Sequence, residues 1–172
     1  HRVTGISVPF DSSFHLLLEV RGDLDFEALA QHEYLIVALD ATDREKLWAL
    51  RERVTESCAV EQVGVSHKLD VSFPQSILGD AYTQLCDLLD RDGVTQVVIF
   101  GHLLDGNFHI FFTTPAADQE IEREVLELVS RLGGSISAEH GIGRMKAAYL
   151  HLSRGESEIS MMKALKSATD PQ

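Results

Sequence analysis

Two runs rich in β-branched and aromatic residues, TQVVIFG (95–101) and NFHIFFTT (107–114), stand on either side of Asp105-Gly106. Asp-Gly supplies the positive φ that a two-residue turn needs, so the pair is expected to fold back on itself as an antiparallel hairpin. That hairpin constrains the whole chain, because helical patterns flank it on both sides. Leu47, Leu50, Val54 and Cys58 recur at three- and four-residue spacing over 43–60, and Ile121, Val125, Leu128 and Leu132 do so over 118–134. Residues 75–93 return to the same period and stop at Gly93, and 157–168 reads as a final helix. HKLDVSFP (67–74) alternates Leu69, Val71 and Phe73 and is a half-buried strand closed by Pro74; FHLLLEVRG (14–22) and EYLIVALD (33–40) are further strand candidates, and 135–143 is strand or glycine-rich loop. Helices alternating with strands suggest α/β, but a tight hairpin cannot join parallel strands. The expected fold is therefore α+β, a ferredoxin-like antiparallel sheet with helices packed on one face. With no repeat and no low-complexity linker, residues 1–172 are expected to form one domain.

Composition excludes several roles. The net charge of −12 leaves no basic patch able to neutralise phosphates, so no nucleic-acid partner is expected. No run of apolar residues approaches a membrane span, and no signal peptide is expected at the start. Cys58 and Cys86 lack any CxxC spacing and read as reduced residues of a cytosolic-type protein. A chain opening on His1 and ending shortly after Pro171 is expected to be part of a longer one.

Chemistry concentrates at GHLLDGNFH (101–109). If Asp105-Gly106 is the two-residue turn, His102 faces His109 directly across the strands, with Cβ atoms roughly 4.5–5.5 Å apart. Both imidazoles could then reach one ion, each nitrogen about 2.0–2.1 Å away. The opposite face carries Phe108, Ile110 and Phe112 and should enter the core. Two histidines in a hairpin are more often surface or hydrogen-bonded residues than ligands, so a third ligand is needed. SAEHGIG supplies a candidate: Glu139 could complete a His-His-Glu set while His140, adjacent in extended chain, points elsewhere. A glycine-rich surface turn would look the same.

Together, FGHLLDGNFH and GGSISAEHGIGRMK resemble the C-terminal domain of the FAD-linked oxidases related to vanillyl-alcohol oxidase, the group of D-lactate dehydrogenase, the glycolate oxidase flavin subunit and D-2-hydroxyglutarate dehydrogenase. The likeness runs from about Leu47 to Pro171. It implies metal ligation by His102, His109 and Glu139 and a catalytic role for His140. It also implies substrate binding by Arg51 and Thr55, four apart on a shared helix face, and by Lys68. The implied cofactors are FAD, held mainly by an N-terminal domain absent from these residues, and a divalent metal, zinc first. The implied partners are a small 2-hydroxy acid, that FAD domain and a downstream electron acceptor, with room for a homodimer. The implied location is cytoplasmic, or at a membrane's edge through the acceptor. Three departures stand out: Leu104 where the motif commonly has Gly, Phe111 where the D-2-hydroxyglutarate enzymes carry Asn, and a short segment over 22–35. The chemistry expected is oxidation of a D-2-hydroxy acid, with hydride passing to flavin. Two other classes fit the residues without the resemblance. One is a flavin-independent metal hydrolase; the other is a non-catalytic ferredoxin-like module for ligand binding or dimerisation.

Overall fold

The computed structural model describes residues 12–22, 25–29, 31, 34–60, 63–117 and 119–170. They gather into two compact units, divided after Glu61.

In the first unit, a short helix α1 (Phe26–Leu29) precedes α2 (Ala41–Glu52) and α3 (Val54–Val60). Asp40 caps α2, its carboxylate accepting the Asp43 N–H at 2.9 Å. Glu19 is gripped by the Arg44 guanidinium at 2.9 and 3.0 Å and by the Trp48 indole N–H at 3.1 Å. Residues 14–22 and 34–40, expected as strands, take no strand conformation; 33 lies outside the described residues. Neither run finds a partner ladder there, and Phe14, Leu16 and Leu18 stay exposed. A strand needs a neighbour for its N–H and C=O groups, which local alternation cannot supply.

The second unit runs β1 (Val65–Ser72), α4 (Leu78–Leu89), β2 (Thr95–His102), β3 (Asn107–Thr114), α5 (Gln119–Arg131) and α6 (Glu156–Thr169), with a 3-10 turn over Gln75–Ile77 leading into α4. The sheet order is β1-β3-β2, all neighbours antiparallel. After α5 the chain returns to the free edge of β1, where Ser72 and Ser135 form an antiparallel bridge. This is the βαββα order of a ferredoxin-like unit, with the last strand reduced to one bridge.

Alternation decides which face is which. Leu69 and Val71 of β1 and Phe108, Ile110 and Phe112 of β3 are buried on one face against Ala81, Leu85 and Leu89 of α4 and Ile121, Val125 and Val129 of α5. His67 shares that face without breaking it. Its ring stacks on Phe112 at 4.5 Å, Nδ1 lies 2.7 Å from the Glu122 carboxylate of α5, and Nε2 lies 2.7 Å from the Thr114 hydroxyl. The opposite face carries Lys68, Asp70 and Ser72 of β1, Asn107, His109 and Phe111 of β3, and His102 of β2.

The hairpin differs from expectation in one respect. Leu103–Asp105 form a 3-10 turn and Gly106 alone is left-handed, at φ 65°. Asp105 does not take the positive φ that a two-residue turn demands of it, so the loop has four residues. His102 therefore pairs with Asn107, and His109 with Phe100. A shift of two residues conserves the face, so His102 and His109 still lie on the same side of the sheet, as diagonal neighbours. Leu104 sits in this turn without left-handed strain and is 83% exposed. Gly106 carries the constraint instead: a Cβ there would overlap the Phe73 carbonyl oxygen, in a backbone conformation that side chains avoid. Gly106→Ala is expected to destabilise the fold by about 1–3 kcal/mol. The midpoint of a urea titration reads this directly, and a midpoint equal to the wild type's would contradict it.

Candidate functional site

The polar face of the sheet is built from single residues of each strand and a loop that folds over them. The loop over 135–146 is pinned to β1 by Ser72 N–H to Ser135 O at 3.0 Å and Ser135 N–H to Ser72 O at 2.9 Å. Gly134 permits that approach, since a Cβ there would meet the Ser72 carbonyl oxygen. Further along, Lys146 reaches back and donates to the carbonyl oxygens of Asp70 at 3.1 Å and Ile136 at 2.5 Å. Burial holds the Lys146 ammonium below the usual lysine range, with the charges of Asp70 and Glu122 opposing that shift.

These contacts bring Glu139 over the sheet. Its carboxylate lies 3.4 Å from His102 Nδ1 and accepts the Asn107 amide N–H at 2.8 Å. On the other side of Asn107, Asp70 Oδ1 accepts the same amide at 3.3 Å and lies 3.3 Å from His109 Nδ1. The site is thus two acid–imidazole pairs, Glu139 with His102 and Asp70 with His109, joined through one amide. The two rings meet edge to face with centroids 6.4 Å apart, and Phe100 packs on His109 at 5.1 Å. His140, next to Glu139, has an exposed side chain, while its backbone N–H donates to Asp70 Oδ2 at 3.2 Å.

The donor set of two imidazoles, two carboxylates and an amide suits a borderline-to-hard divalent cation. The Asn107 side-chain Oδ1 adds to this: it is buried and finds no hydrogen-bond partner among the described residues. In the conformation described, however, no three His, Cys, Asp or Glu side chains among the described residues converge as a metal centre requires. The donors are held as separate pairs.

Of the residues singled out from sequence, His102, His109, Glu139 and His140 lie together here. Lys68 lies on the same face of β1, exposed, its ammonium 5.9 Å from the centroid of the buried Phe111 ring. Arg51 and Thr55 belong to the first unit. Helix α2 ends at Glu52, and Arg53, with φ −99° and ψ 14°, separates it from α3, so the two do not share one continuous helix as expected. Asp70, Asn107 and Lys146 were not anticipated. Asp70 was open to detection, since aspartate is depleted in strands and this one stands between Leu69 and Val71 in an alternating run.

The sequence profile of the FAD linked oxidases, C-terminal domain, matches residues 5–172. The chain belongs to this family. It is 38% identical over 142 residues to the mitochondrial D-2-hydroxyglutarate dehydrogenase of Danio rerio, covering 79% of this chain and 26% of that protein. It is 37% identical over 149 residues to a Schizosaccharomyces pombe protein provisionally named a mitochondrial D-lactate dehydrogenase, covering 79% of this chain and 28% of that one. Across its full length it is 30% identical to the mitochondrial D-2-hydroxyglutarate dehydrogenase of Arabidopsis thaliana, covering 34% of it. The chain thus spans about a quarter to a third of these relatives' length. No helix of the described residues is long and apolar enough to cross a membrane.

Proposed function

We propose that this domain binds a D-2-hydroxy acid and a divalent cation within an FAD-dependent dehydrogenase. The observation that carries the reading is the paired arrangement of His102 with Glu139 and His109 with Asp70 beside His140. A 2-hydroxy acid presents a carboxylate and a neighbouring hydroxyl, two oxygens suited to a cation held by His102, His109 and Glu139. When bound, the cation supplies charge that weakens the hydroxyl's hold on its proton, and FAD supplies the hydride acceptor. His140 is the proposed base, placed to take the hydroxyl proton at an imidazole nitrogen. Lys68 adds a point charge for a carboxylate on the same sheet face, while Arg51 with Thr55 offers carboxylate recognition in the first unit. The named relatives divide between D-2-hydroxyglutarate and D-lactate dehydrogenases. Lys68, exposed on the sheet face that carries the site, supports a second carboxylate on the substrate.

The test is anaerobic flavin reduction in the full-length protein. Bleaching of the flavin by D-2-hydroxyglutarate at far lower concentration than by D-lactate is the expected result; bleaching by neither defeats the reading. Glu139→Ala is expected to lower zinc affinity by at least about tenfold, measured calorimetrically. An unchanged affinity would remove Glu139 from the ligand set.

A further inference from the structure

The proposed function above gives no role to Asp70, a carboxylate with several partners. Asp70 is 9% exposed in the middle of β1. Its Oδ2 accepts the backbone N–H of Glu139 at 2.8 Å and of His140 at 3.2 Å. Its Oδ1 accepts the Asn107 amide and lies beside His109 Nδ1, each at 3.3 Å. Its own carbonyl oxygen takes the Lys146 ammonium at 3.1 Å and the Ala138 N–H at 3.4 Å. One side chain thus fixes the backbone of the loop that carries Glu139 and His140, and borders the ring of His109 on the neighbouring strand.

We propose that Asp70 is the positioning residue of this site, aiming His109 and the Glu139–His140 turn at one ligand; the proposal rests on the cation-assisted 2-hydroxy acid reading above. A carboxylate is costly to bury and is kept where its acceptor oxygens are used. Here they are used: an ionised carboxylate only accepts, and the groups around it are N–H donors or an imidazole that can be one. A carboxylate beside His109 Nδ1 also favours the tautomer with its proton on that nitrogen, leaving the Nε2 lone pair for a cation. Asparagine matches the size but not the function. Its NH₂ would have to face either the two backbone N–H groups or the Asn107 amide.

The experiment compares wild type with Asp70→Asn in the full-length protein. Zinc affinity is read by calorimetry, the cobalt(II) absorption spectrum reports ligand geometry, and hydrogen exchange is followed in a peptide covering 137–142. Asp70→Asn is expected to weaken zinc binding about 10–100-fold and to alter the cobalt spectrum. It should also speed exchange of the 137–142 peptide at least about tenfold, the free-energy equivalent of one lost charged hydrogen bond. Peptides from β1 and β3 should exchange as before. Unchanged zinc affinity together with unchanged exchange in that peptide overturns the proposal. If the wild type takes up neither zinc nor cobalt, the site reading fails, and Asp70 is judged on exchange alone. Should Asp70→Asn not fold, the wild type decides: slow exchange of the Glu139 and His140 amides relative to those of Gly141 and Gly143 supports the clasp, and unprotected amides overturn it.

Discussion

Replacing His140 by alanine in the full-length protein is expected to lower the rate of flavin reduction by a D-2-hydroxy acid about 10²–10⁴-fold, the range for loss of a general base. The structure makes this substitution unusually clean. The His140 side chain is exposed, and the residue is tied to the fold through its backbone, its N–H donating to Asp70 and its carbonyl oxygen accepting the Ser137 hydroxyl, both of which alanine keeps. Flavin content and melting temperature should therefore match the wild type. Stopped-flow reduction under anaerobic conditions separates the chemical step from later electron transfer. An unaltered reduction rate at saturating substrate would remove His140 from the chemistry. The contrast with Asp70→Asn is informative, because that variant acts through the placement of other groups and should also shift zinc affinity, whereas His140→Ala should not.

Phe112→Ala should have the largest effect on stability, about 3–5 kcal/mol. Phe112 is fully buried at the centre of β3, the middle strand, and its ring stacks on His67 at 4.5 Å with an interplanar angle of 6°. Truncation opens a cavity beneath α5 and strips the cover from His67, whose nitrogens are committed to Glu122 and Thr114. The buried apolar residues described in the second unit form one core cluster, which must absorb the loss. A fall in melting temperature on the order of 10–20 °C is expected. Leu104→Ala is the matched control: that side chain is 83% exposed, and its removal should change stability by no more than about 0.5 kcal/mol. Equal effects from the two substitutions would contradict the assignment of the core face.

Much of the second unit was legible because its signals are local. The i, i+4 spacing of Ala81, Leu85 and Leu89 and the alternation of Leu69, Val71 and Phe73 each define a buried face without reference to anything distant. The histidines of the hairpin could be placed on one sheet face for the same reason, since period-2 alternation is insensitive to a register shift of two. Local patterns failed where the outcome depended on a partner. Residues 14–22 and 34–40 have strand-like composition but no ladder to join among the described residues. The helix expected over 43–60 breaks at Arg53 although its apolar spacing continues.

The sequence by itself determined the fold class, the two faces of the sheet and the family, because each follows from residue types at fixed short spacings. Tertiary structure alone decided the hairpin register, since a left-handed Gly106 packed against the Phe73 carbonyl selects a four-residue turn over a two-residue one. It also decided that Asp70 and Asn107 belong with His102, His109 and Glu139. Those contacts join residues up to 69 positions apart. They exist only because β1 pairs with β3 while the loop after α5 closes over the edge of β1, a juxtaposition that no spacing along the chain encodes.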